Sequence, residues 1–362
     1  MTKRESSIRI REKVKLAPYT TLRVGGAARF FAQAEQESEV IEACEYASSR
    51  RLPLLVLGGG SNILVSDSGF PGLVLQMAVR GIDGRDAAAT GNVSVAAGED
   101  WDVFVRWCIR RNLAGVECLS GIPGTVGAAP IQNIGAYGQE VAEVIQAVQA
   151  LDRRTGQVTR LNVRQCRFDY RTSVFNTTDK DRFIILSVDF HLHIGGAPRL
   201  KHADLESRFA AGAEAPTLAS VRAAVLEVRK RKGMIREPGD PGARSAGSFF
   251  KNPQVSSDTL LRMEQEARRQ GVLAADENIP RFEGSGGRLK LPAAWLVERA
   301  GFPKGHVAGR VGISDKHALA LINRGGATAM EIQGLACSIQ ASVRRVFGIE
   351  LMPEAVYVGF ES

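Results

Sequence analysis

The chain has 362 residues, 44% of them apolar, which is enough for more than one core, since single cores rarely grow past about 250–300 residues. No apolar run approaches the ~18 residues that cross a bilayer, and the start from Met1 to Lys15 is charged and polar, so a cytoplasmic, multidomain protein is expected. A net charge of +8 suits a phosphorylated ligand or a polyanion, but aromatics at only 6% with no interleaved basic pattern argue against nucleic acid.

Cys44, Cys108, Cys118, Cys166 and Cys337 are scattered without a CxxC pair, so neither a disulfide framework nor a zinc site is expected. Ser38 to Arg50 predicts a helix, with Ser38 as N-cap and Val40, Ile41, Cys44 and Ala47 as its apolar stripe. Leu54 to Leu57 predicts a buried strand that stops at Gly58-Gly59-Gly60-Ser61-Asn62, with a second strand, Ile63 to Val65, directly after. Strand, loop, strand is not a Rossmann turn, and the loop lacks the Lys-Ser/Thr of a P-loop.

Gly72 to Gly196 predicts mostly short strands, interrupted by a helix from Trp101 to Arg111. Amid these strands stands Gly121-Ile122-Pro123-Gly124-Thr125-Val126-Gly127, continued by Gln132-Asn133-Ile134-Gly135-Ala136-Tyr137-Gly138. Small residues at this density suit a backbone pressed against a flat ligand. An ordinary tight turn would explain the first glycine loop alone. Two such loops in a basic chain favour a long ligand with a pyrophosphate held by backbone N–H groups, with Asn62, Gln132 and Asn133 at its polar edges.

Around Ala211 to Pro216 the composition turns to Ala, Gly and Pro, which marks a boundary. Helices are predicted at Leu218 to Lys232, Asp258 to Gln270, Pro292 to Ala300 and Ala327 to Phe347, the last ended by Gly348. Gly239 to Gly242 and Glu283 to Gly287 read as loops, and Val356 to Val358 as a closing strand.

Arg171 sits in a partly apolar stretch, where it needs an anion, either a structural Asp or Glu or a ligand carboxylate. Ser248, beside Phe249 and Phe250, reads as a turn serine or as a proton donor to a strongly basic carbanion. Glu354 opens a mostly apolar run, where partial burial would raise its pKa. His191 and His193 alternate on a strand but are too few for zinc, and His306 and His317 have no partner pattern. The basic clusters, Arg229 to Lys232 and the N-terminal Lys3-Arg4 with Arg9 and Arg11, read by themselves as solvated faces.

Taken together, Thr21 to Gly26, Leu57 to Asn62, Gly121 to Gly127, Asn133 to Gly138, Tyr170-Arg171, Gly247 to Pro253, Ala294 to Leu296 and Pro353-Glu354 resemble the UDP-N-acetylenolpyruvoylglucosamine reductase (MurB) family over nearly the whole chain. The resemblance implies an α+β protein: a two-part FAD-binding domain of the vanillyl-alcohol-oxidase (PCMH) type and a smaller α+β substrate domain. The parts would be 1–75, with 349–362 returning to it, then 76–210, and 211–348 for substrate.

It further implies NADPH-dependent reduction of UDP-N-acetylglucosamine enolpyruvate to UDP-N-acetylmuramate in peptidoglycan synthesis, by a monomer without metal. The resemblance gives Arg171 and Glu354 the role of stabilising an enolate and Ser248 that of protonating it. FAD would lie against Gly58, Gly59, Gly60, Ser61, Asn62, Gly121, Gly124, Thr125, Gly127, Asn133, Gly135 and Ala136. Substrate would meet Tyr137, Arg229, Lys232 and Asn252. His202 stands where part of the family carries a tyrosine that closes over the uracil.

Overall fold

The computed structural model describes residues 8–210, 215–235 and 243–360. Lys3-Arg4, the loop 239–242 and most of the expected boundary at 211–216 lie outside them. The chain divides into two compact units, one of residues 1–14, 28–59 and 71–230, the other of 15–27, 60–70 and 231–362. These limits do not coincide with the expected divisions at 75/76 and 210/211.

The first unit holds two larger sheets. One has the strand order Arg11–Lys15, Ala27–Ala34, Phe70–Met77, Leu54–Leu57, with the last two parallel. The other is antiparallel, in the order Gln157–Asn162, Ile145–Asp152, Phe183–His191, Asn92–Ala96, Ile82–Asp83. Alternation explains the second: Val93 and Val95 are buried while Asn92 is exposed and Ser94 lies between. Trp101, Phe104 and Phe190 stack in its core, with the Phe104 and Phe190 ring centroids 4.7 Å apart.

Helix Trp101–Arg110 starts where Asp100 accepts from the Val103 N–H, and it buries Trp101, Phe104, Val105 and Cys108. Helix Glu37–Ser49 begins earlier than predicted. Gln36, not Ser38, is its N-cap, because Gln36 and Glu39 satisfy each other's main-chain N–H groups in a capping box.

The second unit packs helices Ser257–Arg269, Ala293–Arg299 and Ala329–Phe347 around a core that includes Phe249, Phe250, Leu296, Ile332, Ile339 and Phe347. The longest helix is capped at Thr328 by a box with Glu331 and ends at Gly348 in the left-handed region, φ 70°. Strand Val356–Val358 pairs in parallel with Ile63–Val65. Glu283 to Gly287, read as a loop, is the turn of a small hairpin joining Phe282–Glu283 to Leu289–Lys290.

Candidate active site

In the first unit the two glycine loops meet backbone to backbone. A Cβ on Gly58 would stand 2.7 Å from Thr125 Oγ1, and one on Gly59 2.9 Å from Gly124 Cα. Gly121 and Gly124 hold φ of 71° and 125°, conformations that glycine adopts without strain. Asp102 ties this second loop to helix Trp101–Arg110, accepting from the Gly121 N–H at 2.6 Å and from both arms of Arg222 at 2.7 Å. Neither 58–62 nor 121–127 carries an acidic side chain. Closely packed glycine backbone, the Thr125 hydroxyl and the lack of carboxylates in these loops fit the pyrophosphate of a dinucleotide such as FAD.

The continuation of the second loop is strained. Asn133, Tyr137 and Arg171 are non-glycine residues with left-handed backbones, φ 43°, 50° and 55°, and such conformations cost on the order of 1–3 kcal/mol each and gather at functional sites. Asn133 is buried, donating from Nδ2 to Glu140 Oε2 at 2.8 Å and to the Asp169 carbonyl at 3.2 Å, and accepting from the Ala142 N–H at 3.1 Å. Its side chain therefore braces the loop, and its main chain is what it can offer a ligand.

Tyr170 and Arg171 form the tip of a tight turn closed by Asp169 and Thr172, which exchange main-chain hydrogen bonds. The Arg171 guanidinium donates to the carbonyls of Gly135 at 2.7 Å and Asn133 at 3.3 Å. These carbonyls orient the guanidinium.

The cluster from Arg229 to Lys232 does not behave as a uniform solvated face. Lys230 and Arg231 are exposed, whereas Arg229 is only 7% exposed and its Nε has no hydrogen-bond partner among the described residues. Burial lowers the pKa of Arg229, opposed by the nearby Tyr137 and Asp102. Tyr137 itself is buried, and the His202 ring packs edge-on against it at 5.1 Å. His202 caps helix Ala203–Phe209, its Nδ1 accepting from the Asp204 N–H.

In the second unit, Ser248 lies on a segment held on both sides. Toward one neighbour, the Phe249 N–H donates to the Leu319 carbonyl and Ser245 pairs with Ile322. Toward the other, the Glu354 N–H donates to the Phe249 carbonyl at 2.8 Å, and Phe250 pairs with Pro353. Ser248 and Glu354 thus come from distant parts of the chain to adjacent segments, both half-buried.

Asn62 fixes the Glu354 main chain further, donating from Nδ2 to its carbonyl at 3.1 Å. Asn252 follows in the same segment as Ser248, its Oδ1 accepting from the Ala293 N–H at 2.9 Å at the start of helix Ala293–Arg299. Gly60, Ser61 and Lys232 also belong to this unit, Gly60 with φ 59°.

Sequence reasoning passed over His317. It sits in the turn between strands Val311–Ile313 and Leu321–Asn323, and its Nε2 lies 2.9 Å from Ser248 Oγ. Pairing of the Ser248 segment with Leu319 and Ile322 brings it there, and no local pattern signals that. His191 and His193 are exposed, and no group of three or more His, Cys, Asp or Glu among the described residues could hold a metal ion.

These features fit an enzyme that binds a dinucleotide. An FAD-binding domain model matches residues 28–162, and a model of the UDP-N-acetylenolpyruvoylglucosamine reductase C-terminal domain matches 240–358. Curated reductases of that name from Thermobifida fusca and Saccharopolyspora erythraea are 45% and 44% identical, over 96% and 95% of this chain and 97% and 94% of theirs. The solved reductase from Thermus caldophilus aligns with a TM-score of 0.66 and 26% identity, covering 97% of this chain and 99% of that one. The chain belongs to the UDP-N-acetylenolpyruvoylglucosamine reductase family. It is an α+β flavoenzyme that uses FAD and NADPH to reduce UDP-N-acetylglucosamine enolpyruvate in peptidoglycan synthesis.

Proposed function

We propose that Arg171, Ser248 and Glu354 carry the substrate half of this reaction. Bound FAD, once reduced by NADPH, supplies the hydride. Addition of hydride to the terminal enolpyruvyl carbon leaves negative charge on the adjacent carbon and on the carboxylate. Arg171, oriented by the carbonyls of Asn133 and Gly135, meets that charge with a preorganised cation. Glu354, its main chain held by Phe249 and Asn62, assists at the same enolate, and Ser248 delivers the proton.

The observation that carries this reading is the flanking of the Ser248 segment by Pro353-Glu354 on one side and by the His317 turn on the other. It explains why a serine without a nucleophile elbow is rigidly presented. Arg229, Lys232, Tyr137 and Asn252 hold the nucleotide sugar, with the buried cation of Arg229 suited to a phosphate. His202 acts there as a fixed cap beside Tyr137, not as a closing lid. The enzyme works in the cytoplasm as a monomer, where its product serves cell shape and division.

Ser248→Ala tests the reading. NADPH should still bleach the flavin at the wild-type rate, while reoxidation by UDP-N-acetylglucosamine enolpyruvate slows by about 10²–10⁴-fold. Normal reoxidation would remove Ser248 from the proton path.

A further inference from the structure

A serine hydroxyl is a weak acid, and giving up its proton leaves an alkoxide. In a half-buried site that charge is costly unless a donor meets it. Ser248 Oγ lies 2.9 Å from His317 Nε2. If Nε2 accepted the hydroxyl proton, that proton would point at the ring and away from substrate. With Nε2–H as donor, the serine O–H is left to face the carbanion, and the N–H already points at the oxygen that becomes negative.

We propose that His317 is a positioning residue for the reduction, holding Ser248 in its donor orientation and replacing its proton. The proposal rests on Ser248 being the proton donor. In the step, the electron pair of the carbanion takes the Ser248 proton, so the O–H bond breaks and a C–H bond forms. His317, as imidazolium, then gives up its Nε2 proton, the bond's electron pair staying on the ring to leave neutral imidazole, and the Ser248 O–H bond is restored. Half-buried His317 regains its proton from water. The fold makes this geometry rigid, because His317 is held in a short turn whose Ala320 N–H donates to the His317 carbonyl at 3.0 Å and whose Ser314 N–H donates to the Ala320 carbonyl at 2.9 Å. Leu319, at the end of this turn, accepts from the Phe249 N–H of the serine segment.

The test uses the FAD-loaded enzyme and follows its two half-reactions separately in His317→Leu, His317→Gln, Ser248→Ala and the Ser248→Ala/His317→Leu double variant. Flavin reduction by NADPH serves as the folding control and should be unchanged in all four. His317→Leu should slow flavin reoxidation by substrate about 10²-fold, as loss of a proton-transfer partner does, and should lower kcat rather than raise KM. Glutamine places an amide N–H near the position of Nε2 but cannot surrender its proton, so His317→Gln should recover part of the loss. The double variant should be no slower than Ser248→Ala, because the histidine acts only through the serine.

Wild-type reoxidation in His317→Leu, a loss confined to KM, or losses that multiply in the double variant would each overturn the proposal while leaving the role of Ser248 intact. Normal reoxidation in Ser248→Ala would overturn both.

Discussion

Gly59 and Gly124 approach so closely that a Cβ on Gly59 would lie 2.9 Å from Gly124 Cα, main chain against main chain. No flexible side chain can yield there, so Gly59→Ala must push the two glycine loops apart. Overpacking of this kind costs about 1–3 kcal/mol. Because both loops are assigned to FAD, the variant should purify with less flavin per protein, read from the ratio of flavin to protein absorbance. A full complement of flavin would place the cofactor elsewhere.

Arg171 combines a left-handed backbone at φ 55° with a guanidinium aimed by two carbonyls. Arg171→Ala should keep FAD and its reduction by NADPH but lose about 10²–10³-fold in substrate turnover, the usual cost of removing one preorganised stabiliser. Stopped-flow measurement of the two half-reactions separates these effects, and equal loss in both would reduce Arg171 to a brace for the loop.

The carboxyl of Asp102 is pushed up by burial, but hydrogen bonds from Arg222 and the Gly121 N–H, with the charges of Arg222 and Arg106, outweigh this and leave it below the ordinary carboxylate value. A lowered folded pKa means stability that is fully present above the unfolded value, about 3.9, and is lost as pH falls through the lower folded value. Asp102→Asn should therefore destabilise the protein at neutral pH and flatten its loss of stability below about pH 4, measured by urea unfolding across pH. An unchanged acid limb would show that this pair contributes nothing net.

Thiol reactivity should follow burial. Cys337 is exposed, whereas Cys108, Cys118 and Cys166 are buried, and burial pushes the Cys118 and Cys166 thiols up to about 12. Burial also raises Cys44, opposed by Arg153. Since the thiolate is the reactive form, a disulfide reagent should label Cys337 quickly in the native protein and all five cysteines only after denaturation. Peptide mapping of the fast site checks this.

Much of the architecture could be read locally. Strands Leu54–Leu57 and Ile63–Val65, helix Trp101–Arg110 and helix Ala329–Phe347 lie within a residue or two of their predicted ends, because apolar period and capping residues act over a few positions. The glycine loops, Arg171, Ser248 and Glu354 were likewise visible as residue types with a chemistry to perform, and their order along the chain carried the resemblance to a family.

What no local pattern contained was pairing between distant segments. One local choice also went unread, Gln36 displacing Ser38 as a cap through a reciprocal bond with Glu39. Arg229 was separated from its exposed neighbours by burial against Tyr137. His317, one histidine among five, became a partner of Ser248 only when the serine segment paired with Leu319 and Ile322. Sequence determined which groups this protein possesses, because composition and periodicity are properties of the chain. The tertiary structure decided which of them touch, because hydrogen bonds act over about 3 Å and only folding brings such distant residues that close.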